Sequence, residues 1–354
     1  MPDKLPEFSR PLLKWYRQNS RDLPWRRHAY PYRVWLSEII LQQTRVDQGL
    51  PYYRRFIDVY PDVHALARAS EEEILKLWQG LGYYSRARNL HATARRVANE
   101  LDGVFPGSHT ELLKLKGIGP YTAAAIASIC FNEPRAVVDG NVFRVLARVF
   151  GVETDIASGT GKKEFSQLAD ELIDSRQPGD YNQAIMEFGA THCKPTRPNC
   201  SDCFLAARCV ALKEDKVKTL PVKSKKTRVR KRYFDYLVTL DEKYSTLLTK
   251  RNSGDIWEGL YDFPMVEGSR PLTKAKLLNS TTFLEITGGR EVRLVYRYNE
   301  KAVVHKLSHQ ELHLNFWVLE IAGADQSYTA VDELRRYPVL VPVRNFLSEF
   351  EPFR

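Results

Sequence analysis

The stretch LLKLKGIGPYTA at residues 112–123 decides the fold, because it predicts a helix, a tight turn and a second helix. Gly117 and Gly119 carry no Cβ, so the backbone of the turn can approach a ligand closely. Pro120 suits the first turn of the second helix, where its missing N–H costs little. The exposed amides at the N-terminus of a helix can bind an anion without contacts to bases. The stretch therefore predicts a hairpin that binds phosphate. An ordinary helical hairpin is the plainer alternative, and agreement over the whole stretch disfavours it.

The segments on either side of this hairpin also predict helices, because apolar residues recur at spacings of three and four between Gly and Pro clusters. These helical segments are 34–46, 70–78, 87–100, 121–131, 142–150 and 163–175. Later in the chain a period of two predicts strands at 233–240, 244–250 and 311–321, followed by a last helix at 342–350. The sequence therefore predicts a multidomain protein in which an all-α domain precedes a smaller α+β domain.

Charge separates the two predicted domains and indicates the class of partner. The 354 residues contain 53 Lys and Arg against 43 Asp and Glu, and the net charge of +10 favours a polyanion. Residues 213–232 (KEDKVKTLPVKSKKTRVRKR) hold ten of the basic residues and two acids. This composition predicts an exposed linker that follows phosphates, with a solubilising tether as the alternative. The predicted boundaries are 1–212, 213–232 and 233–354.

Composition excludes several other classes of protein. A disordered chain is excluded, since 43% of the residues are hydrophobic and 11% aromatic. The longest mostly apolar stretch, Ala123 to Phe131, is far shorter than the ~20 residues that a membrane helix needs. No signal peptide is visible at the N-terminus, so we expect a cytoplasmic protein with no membrane partner.

Four of the five cysteines lie in one short segment and predict a metal site. Cys193, Cys200, Cys203 and Cys209 are separated by six, two and five residues. Four thiolates in one loop bind zinc or an iron–sulfur cluster, and the spacing alone leaves the two even. Cys130 lies in an Ala-rich helix and is expected to be a buried core residue.

The hairpin and the cysteine loop together resemble the helix-hairpin-helix DNA glycosylase superfamily that includes endonuclease III. The further stretches that carry the resemblance are WLSEIILQQTRV (35–46), GLGYYSRARNL (80–90), VVDGN (137–141) and WEGLYDFP (257–264). These stretches narrow the resemblance to the MutY-type adenine DNA glycosylases. The resemblance is strong as far as Cys209 and looser after residue 233. The resemblance implies one 4Fe–4S cluster on the four cysteines and a C-terminal domain of the MutT/Nudix type.

Two carboxylates are candidates for the chemistry of base removal, which needs one protonated and one ionised acid. Glu38 interrupts an apolar helix, and a carboxyl in such surroundings should have a raised pKa and keep its proton. The resemblance implies that Glu38 protonates adenine N7. The alternative is that Glu38 only hydrogen-bonds Gln42, which shares its predicted face with Arg45, on a solvent-exposed surface.

Asp139 is the candidate for the ionised acid. An Asp before a helix is by default an N-cap, and a second arrangement is that Asn141 caps while Asp139 faces the sugar. The resemblance implies that Asp139 stabilises the oxocarbenium-like state and that Asn141 helps to hold the site. Tyr121 stands where lyase-competent relatives carry lysine, and a phenol cannot form a Schiff base. Base removal without efficient strand cleavage is therefore expected, although Tyr121 could equally be a core aromatic.

The resemblance also implies residues that contact DNA. Tyr83 corresponds to a wedge that enters the base stack, with a packed tyrosine on a loop as the alternative. Gln42 and Gln43, in the sequence Gln42-Gln43-Thr44, are expected to bind DNA, and Gln43 fills space near the vacated position. Arg86 and Arg88 are expected to face phosphate. Gly117 and Gly119 form the phosphate-binding turn described above.

The C-terminal domain is expected to bind and not to hydrolyse. The glutamate run REUxEExG that holds Mg²⁺ in Nudix hydrolases has no counterpart after Gly259. In MutY relatives this domain identifies 8-oxoguanine through a Phe-Ser-His loop, which corresponds here to Leu307, Ser308 and His309. Leucine in place of phenylalanine puts a stacking contribution in doubt, and a polar strand turn is the plainer interpretation of Ser308 and His309.

These features together predict a monofunctional adenine DNA glycosylase that removes adenine opposite 8-oxoguanine or guanine in duplex DNA during base excision repair. An endonuclease III-like glycosylase/lyase for pyrimidine lesions is the main alternative. A non-catalytic damage sensor and a mononucleotide hydrolase are weaker ones. We expect a monomer that works on the nucleoid of a bacterial-type cell, and the sequence names no protein partner.

Overall fold

The computed structural model describes residues 4–224, 229–323 and 327–354. Contacts among these residues define two compact units, each described separately below. The helical unit contains residues 4–68 and 89–224. The C-terminal unit contains residues 69–88 together with 229–323 and 327–354. Segment 69–88, which the sequence boundaries assign to the first domain, thus groups with the C-terminal unit. Lys225 to Arg228, the middle of the predicted basic linker, lie outside the described residues.

The described chain is helical as far as Lys213, as the sequence predicts. The helices are α1 (Lys4–Asn19), α2 (Pro31–Leu41), α3 (Val46–Val59), α4 (Val63–Arg68), α5 (Glu71–Trp78), α6 (Ser85–Glu100), α7 (His109–Leu112), α8 (Pro120–Phe131), α9 (Gly140–Phe150), α10 (Gly159–Leu172), α11 (Pro178–Thr191) and α12 (Val210–Lys213). Helix α11 packs against α1, α8 and α9, and α2 packs against α8. Their shared core includes the fully buried Leu12, Val145, Phe165 and Ile185. None of the helices in the described ranges is long and apolar enough to span a bilayer.

The predicted helix 34–46 is correct only as far as Leu41, because a turn follows there and the next helix begins at Val46. Helix α2 ends at Leu41, and Gln43 has φ of 58°, a left-handed conformation that an α-helix cannot contain. Helix α3 then packs closely on the end of α2. A Cβ at Gly49 would lie 2.9 Å from the Leu41 side chain, so the missing side chain permits this approach.

The predicted hairpin consists of α7, which already ends at Leu112, the turn through Gly117 and Gly119, and α8. Gly117 has φ of 80°, and a Cβ there would meet Asn89 Cβ at 2.7 Å. Helix α6 holds the turn in place, because Thr93 Oγ1 donates to the Lys116 carbonyl at 2.7 Å. Gly119 is the N-cap of α8, and the position of its missing Cβ faces open space. The first amides of α8 are thus positioned at an unobstructed surface.

Residues 214–224 continue on the helical unit instead of leaving it as a free tether. Leu220 is buried in the core of this unit, and its carbonyl accepts from Arg148 Nε at 3.2 Å. The carbonyl of Val222 accepts from the Ile156 amide at 3.1 Å. This part of the predicted linker is therefore packed.

The C-terminal unit is built on a mixed sheet with helices. Its strands are β1 (Arg230–Leu240), β2 (Thr249–Lys250), β3 (Tyr261–Asp262), β4 (Met265–Gly268), β5 (Val292–Arg297), β6 (Val303–Lys306) and β7 (Gln310–Ile321). The helices of this unit that follow β1 in the chain are α13 (Lys274–Leu278), α14 (Thr281–Thr287) and α15 (Val341–Glu349). The main sheet has the order β4-β1-β7-β5, with β6 also paired to β7, and only the β1–β7 pair is parallel. The two central strands are the predicted ones.

The predicted strand 244–250 is wrong except for its end, where β2 covers only Thr249 and Lys250. Asp241 folds the residues that follow it into a bend before β2, because its Oδ1 accepts from the Ser245 amide at 2.6 Å and the Lys243 amide at 2.9 Å. Tyr244 in this bend has φ of 60°. A carboxylate that satisfies local amides competes with strand pairing, which the alternating pattern does not reveal.

Candidate active site

Glu38 is a buried carboxyl on α2, the helix that packs against α8. Its neighbours Leu36, Ile39 and Ile40 are buried as well. Burial raises the pKa of Glu38 to about 7, and the nearby negative charge of Asp139 acts in the same direction. A hydrogen bond with Tyr121 and the charge of Arg26 oppose this rise. A proton is therefore available on this carboxyl near neutral pH.

The alternative interpretation of Glu38 as a residue of a solvent-exposed face is wrong. Only 8% of Glu38 is exposed, and the helical face that it was expected to share with Gln42 and Arg45 does not exist beyond Leu41. Gln42 follows the end of α2, and its side-chain amide donates to Thr122 Oγ1 at 3.2 Å. Gln43 is exposed at the turn between α2 and α3.

Tyr121 lies in the first turn of α8, directly after the turn through Gly117 and Gly119. Its hydroxyl donates to Met186 Sδ at 3.1 Å. Burial raises the pKa of Tyr121 well above its ordinary value, and the charges of Glu38 and Asp139 raise it further. The phenol therefore stays neutral, and its oxygen lies within hydrogen-bonding reach of the Glu38 carboxyl.

Asp139 is the N-cap of α9, which is the default interpretation of its position. Its Oδ1 accepts from the amides of Asn141 and Val142, and its Oδ2 accepts from Asn141 Nδ2, each at 2.8 Å. The expectation that Asn141 provides the cap is wrong, since Asn141 lies inside α9 and holds the Asp139 carboxylate.

Glu38 and Asp139 form a pair of acids with contrasting environments. Burial raises the pKa of Asp139, but three N–H donors and the charge of Arg144 oppose this effect by stabilising its anion. Glu38 has a higher ordinary pKa and fewer such donors, so Glu38 is the carboxyl of the two that more readily keeps a proton. The site can therefore present one acid and one anion together.

A chain of hydrogen bonds joins this pair to the cysteine loop. Arg144 donates from Nη2 to Asn141 Oδ1 at 2.8 Å and to the Gly189 carbonyl at 2.6 Å. Its Nε donates to the Cys193 carbonyl at 2.8 Å. Helices α9 and α11 approach closely here, because a Cβ at Gly189 would lie 2.7 Å from Asn141 Cβ. The orientation of Asn141, and through it Asp139, thus depends on the position of the Cys193 peptide.

A buried ion cluster beside the site was missed by the sequence analysis. Glu187 on α11 has no exposed side-chain surface and is bound by Arg21 Nε at 2.6 Å and Arg26 Nη2 at 2.8 Å. Although burial raises it, hydrogen bonds from both arginines lower the pKa of Glu187 to about 2. Arg26 also acts on the Glu38 carboxyl. Residues 21–27 (RDLPWRR) are visibly basic, but no local pattern links them to a glutamate 160 residues later.

The four cysteines of the predicted metal site surround one cavity. Cys193, Cys200, Cys203 and Cys209 line it together with apolar groups that include Leu205. Arg148 Nη1 lies 3.5 Å from Cys193 Sγ and also donates to the Lys194 carbonyl at 2.8 Å, so it supports the loop. Within 4–224, 229–323 and 327–354, no group of three or more His, Cys, Asp or Glu residues is arranged to hold a single metal ion. Thiols around a cavity suit a cluster, whose own atoms fill the space between its ligands.

Cys130 is not the buried core residue that we expected. It is half-buried near the end of α8, and burial together with the Glu38 charge raises the pKa of its thiol to about 12. Its place is explained by the register of α8, in which the seven residues from Thr122 to Ser128 are all buried and the last turn emerges from the core.

Tyr83 occupies a loop between α5 and α6 in the C-terminal unit. It has φ of 48°, and its side chain is half exposed. The Gly82 carbonyl accepts from Trp78 Nε1 and from Arg86 Nη2, both at 3.1 Å, which fixes the loop. The Tyr83 hydroxyl is hydrogen-bonded to the Ser308 hydroxyl. The structure therefore brings together two residues that the sequence separates by 225 positions.

The expectation that Arg86 and Arg88 face phosphate is wrong. Arg86 is buried, with its guanidinium 5.0 Å from the ring of Trp78. Arg88 donates to the Glu258 carbonyl at 2.6 Å and to Glu258 Oε2 at 3.0 Å. Both side chains thus stabilise the surroundings of the Tyr83 loop.

Ser308 and His309 form the two-residue tip of the hairpin that joins β6 to β7. The Leu307 amide donates to the Gln310 carbonyl at 2.8 Å and closes the turn. Both tip side chains are exposed, whereas Leu307 is half-buried. The tip can therefore offer a hydroxyl and an imidazole to a ligand.

Helix α14 shows what replaces the missing glutamates of a Nudix hydrolase. When REUxEExG is aligned to end at Gly289, its three glutamate positions hold Phe283, Ile286 and Thr287. All three are buried, and Phe283 and Ile286 pack in a core with Trp317 and its neighbours. The helix contributes packing where a hydrolase would present carboxylates to Mg²⁺.

Two families match the sequence in separate regions. The family described as "HhH-GPD superfamily base excision DNA repair protein" matches residues 36–174, and the family described as "NUDIX domain" matches residues 235–349. Both matches agree with the domain types that the sequence predicts.

Curated relatives carry the description "Adenine DNA glycosylase". The protein of this name from Buchnera aphidicola subsp. Acyrthosiphon pisum (strain APS) is 33% identical over 310 residues, which cover 87% of this chain and 85% of the relative. The one from Rattus norvegicus is 47% identical over 213 residues, or 58% of this chain and 41% of the relative. The match thus spans about two fifths of the length of the mammalian relatives.

Solved structures share the fold of the helical unit. A thermostable thymine-DNA glycosylase is similar with a TM-score of 0.54 and 29% identity, covering 60% of this chain and 97% of that one. An endonuclease III in a non-covalent complex with DNA is similar with a TM-score of 0.53 and 22% identity, covering 61% and 98% of the two chains. The second likeness supports the fold alone.

Proposed function

Because the chain belongs to the adenine DNA glycosylases of the HhH-GPD base excision repair superfamily, we propose that it hydrolyses the N-glycosidic bond of adenine opposite 8-oxoguanine or guanine in duplex DNA. The observation that carries this proposal is the pair of acids in contrasting environments, the buried Glu38 and the half-buried Asp139. An acid and an anion side by side are what the departure of a purine from a sugar requires.

In this proposal Glu38 is the general acid. It donates its proton to N7 of an extruded adenine, so that the base leaves as a neutral molecule. A positioned acid contributes roughly a hundred- to ten-thousand-fold, so stabilisation of the sugar must supply the rest. Asp139 provides it, since its anion is fixed by Asn141 and the first amides of α9 before charge develops on the sugar.

Tyr121 makes the reaction a hydrolysis without strand cleavage. It would keep Glu38 oriented through its hydroxyl, and a phenol has no amine with which to form an imine on the sugar. Water therefore completes the reaction on the sugar carbon.

We also propose that Cys193, Cys200, Cys203 and Cys209 hold one 4Fe–4S cluster. The cavity that they line and the supporting bonds from Arg148 fit such a group. When bound, the cluster would supply four metal–thiolate bonds that fix the loop. The residues of this chain then relay that order, because Arg144 bonds both the Cys193 peptide and Asn141.

DNA contacts are assigned by the same proposal to four places. The amides after Gly117 and Gly119 take a phosphate, Tyr83 enters the base stack, and Gln43 occupies space near the vacated position. Ser308 and His309 at the hairpin tip donate hydrogen bonds to 8-oxoguanine. Action as a monomer on nucleoid DNA in the cytoplasm is part of the same proposal.

A single-turnover excision assay on duplexes with adenine opposite 8-oxoguanine, guanine or thymine tests the proposal. We expect excision to be fastest opposite 8-oxoguanine, slower opposite guanine and slowest opposite thymine. Glu38→Gln should retain duplex binding and lose excision, whereas Glu164→Gln, an exposed residue of α10, is the matched control. Adenine excision by Glu38→Gln at the normal rate would refute the acid role. Strong covalent trapping with borohydride would instead indicate a lyase.

A further inference from the structure

The segment that carries Tyr83 is attached to the C-terminal unit by contacts that the proposed function does not use. Glu72 Oε1 on α5 accepts from Tyr261 Oη at 2.7 Å and from Lys250 Nζ at 2.8 Å. Further along the same helix, Lys76 Nζ donates to the Tyr337 carbonyl at 3.0 Å. Helix α5 is thus bound to the strands β2 and β3 and to the segment before α15.

The other end of the Tyr83 loop is fixed by the ion pair of Arg88 and Glu258. Arg88 makes two hydrogen bonds there, one to the Glu258 backbone and one to its carboxylate. The two side chains are 19% and 32% exposed, so water screens this pair less than a surface ion pair. An arginine held at two points has a defined position, and so does the loop that precedes it.

Glu258 is also adjacent in sequence to a residue that contacts the hairpin between β6 and β7. Its neighbour Trp257 has φ of 63°, an unusual conformation for a bulky residue that surrounding contacts must maintain. The Trp257 ring lies 5.7 Å from the ring of His305 on β6, the strand that leads to Ser308. Residues 257–258 therefore contact both the end of the Tyr83 loop and the hairpin that carries Ser308.

We propose that Arg88 and Glu258 are positioning residues that hold Tyr83 at a fixed distance from Ser308. Reading of the base by the hairpin tip and entry of Tyr83 into the stack are then one step, because the C-terminal unit carries both side chains. The inference rests on the proposed function of Tyr83 and Ser308.

A merely structural ion pair would behave differently from a positioning pair. Loss of a structural pair lowers the thermal stability and slows excision from all substrates by one factor. Loss of a positioning pair changes the ratio between substrates, since only the 8-oxoguanine duplex uses Tyr83 and Ser308 together. The two residues should also be coupled, so that the double variant is no worse than either single one.

The test uses the full chain with the variants Glu258→Gln, Arg88→Gln, their combination, and Glu333→Gln as the control. Glu333 is in an exposed ion pair with Arg336 in the same unit, away from the hairpin tip. Stopped-flow fluorescence of 2-aminopurine placed beside 8-oxoguanine reports unstacking before any base is excised. Single-turnover excision is measured in parallel on the 8-oxoguanine and guanine duplexes.

We expect both single variants to reduce the fluorescence change and the preference for 8-oxoguanine over guanine by about tenfold, within the usual range of coupled pairs. Equal losses on both duplexes, or an unchanged fluorescence signal, would overturn the inference. Should a glutamine variant fail to fold, Arg88→Lys keeps the charge but not the second bond, and an intermediate preference is expected. If the unmodified protein does not excise adenine, the proposed function fails, while the fluorescence signal still decides the positioning role.

Discussion

The pH dependence of excision is the most direct consequence of the Glu38 environment. A general acid works only in its protonated form, and burial raises the pKa of Glu38 to about 7. At pH 7 half of such carboxyls carry a proton, whereas a carboxyl with the ordinary pKa of 4.5 would be protonated in roughly 0.3% of molecules. The buried site therefore increases the population of the active acid about 150-fold at this pH.

The expected profile follows from this population. The single-turnover rate of adenine excision should be constant below about pH 6 and fall about tenfold for each pH unit above 7. Tyr121→Phe removes a hydrogen bond that lowers the pKa of Glu38, so its profile should move to higher pH. The assay is rapid-quench excision from pH 5 to 9 with saturating enzyme, and duplex binding at each pH serves as the control. A rate that is flat from pH 6 to 9, or a Tyr121→Phe profile at lower pH, would refute the reasoning.

Three other perturbations have defined outcomes. Because the pKa of Glu38 is raised in the folded state, its contribution to stability is greatest below about pH 4.5 and is lost as pH rises to about 7. Glu38→Gln should thus be stabilising at pH 8, by up to about 3 kcal/mol in the free energy of unfolding by denaturant. A difference in unfolding free energy between variant and unmodified protein that is the same at pH 5 and pH 8 would contradict this. Arg144→Gln breaks the hydrogen bonds to Asn141 and to the Cys193 peptide, so the excision rate should fall by at least about tenfold with duplex binding retained. A normal single-turnover rate would exclude coupling between the cysteine loop and Asn141 through Arg144. Ser308→Ala with His309→Ala should lower the preference for 8-oxoguanine over guanine, which competition between the two duplexes measures, and equal relative rates would reject that role.

The local signals in the sequence predicted those parts of the fold that local chemistry determines. The glycines and Pro120 of the hairpin require a turn before a helix, and the structure has α8 beginning at Pro120. The change of period near residue 232 predicted the central strands β1 and β7. Predictions failed where a single residue overrides a pattern. The left-handed Gln43 divides the predicted helix 34–46, and the Asp241 carboxylate bends the predicted strand 244–250.

The site shows the same division between local and distant causes. The N-cap of Asp139 is a property of five consecutive residues, and it could be predicted from them. The positions of Arg86 and Arg88 could not, because their acceptors are carbonyls of the loop and a glutamate 170 residues away. Their sequence context shows two exposed-looking cations, whereas contacts made in the folded chain turn them inward.

The sequence by itself determined the family, the order of the two domain types, and the identity of the acids, the phenol and the four thiols. Only the tertiary structure decided how deeply the Glu38 carboxyl is buried, that Glu187 is paired with Arg21 and Arg26, and that segment 69–88 groups with the hairpin of Ser308. The physical reason is that residue types and short spacings are encoded along the chain. The removal of water from a carboxyl and the pairing of distant charges are instead sums over neighbours that meet only when the chain has folded.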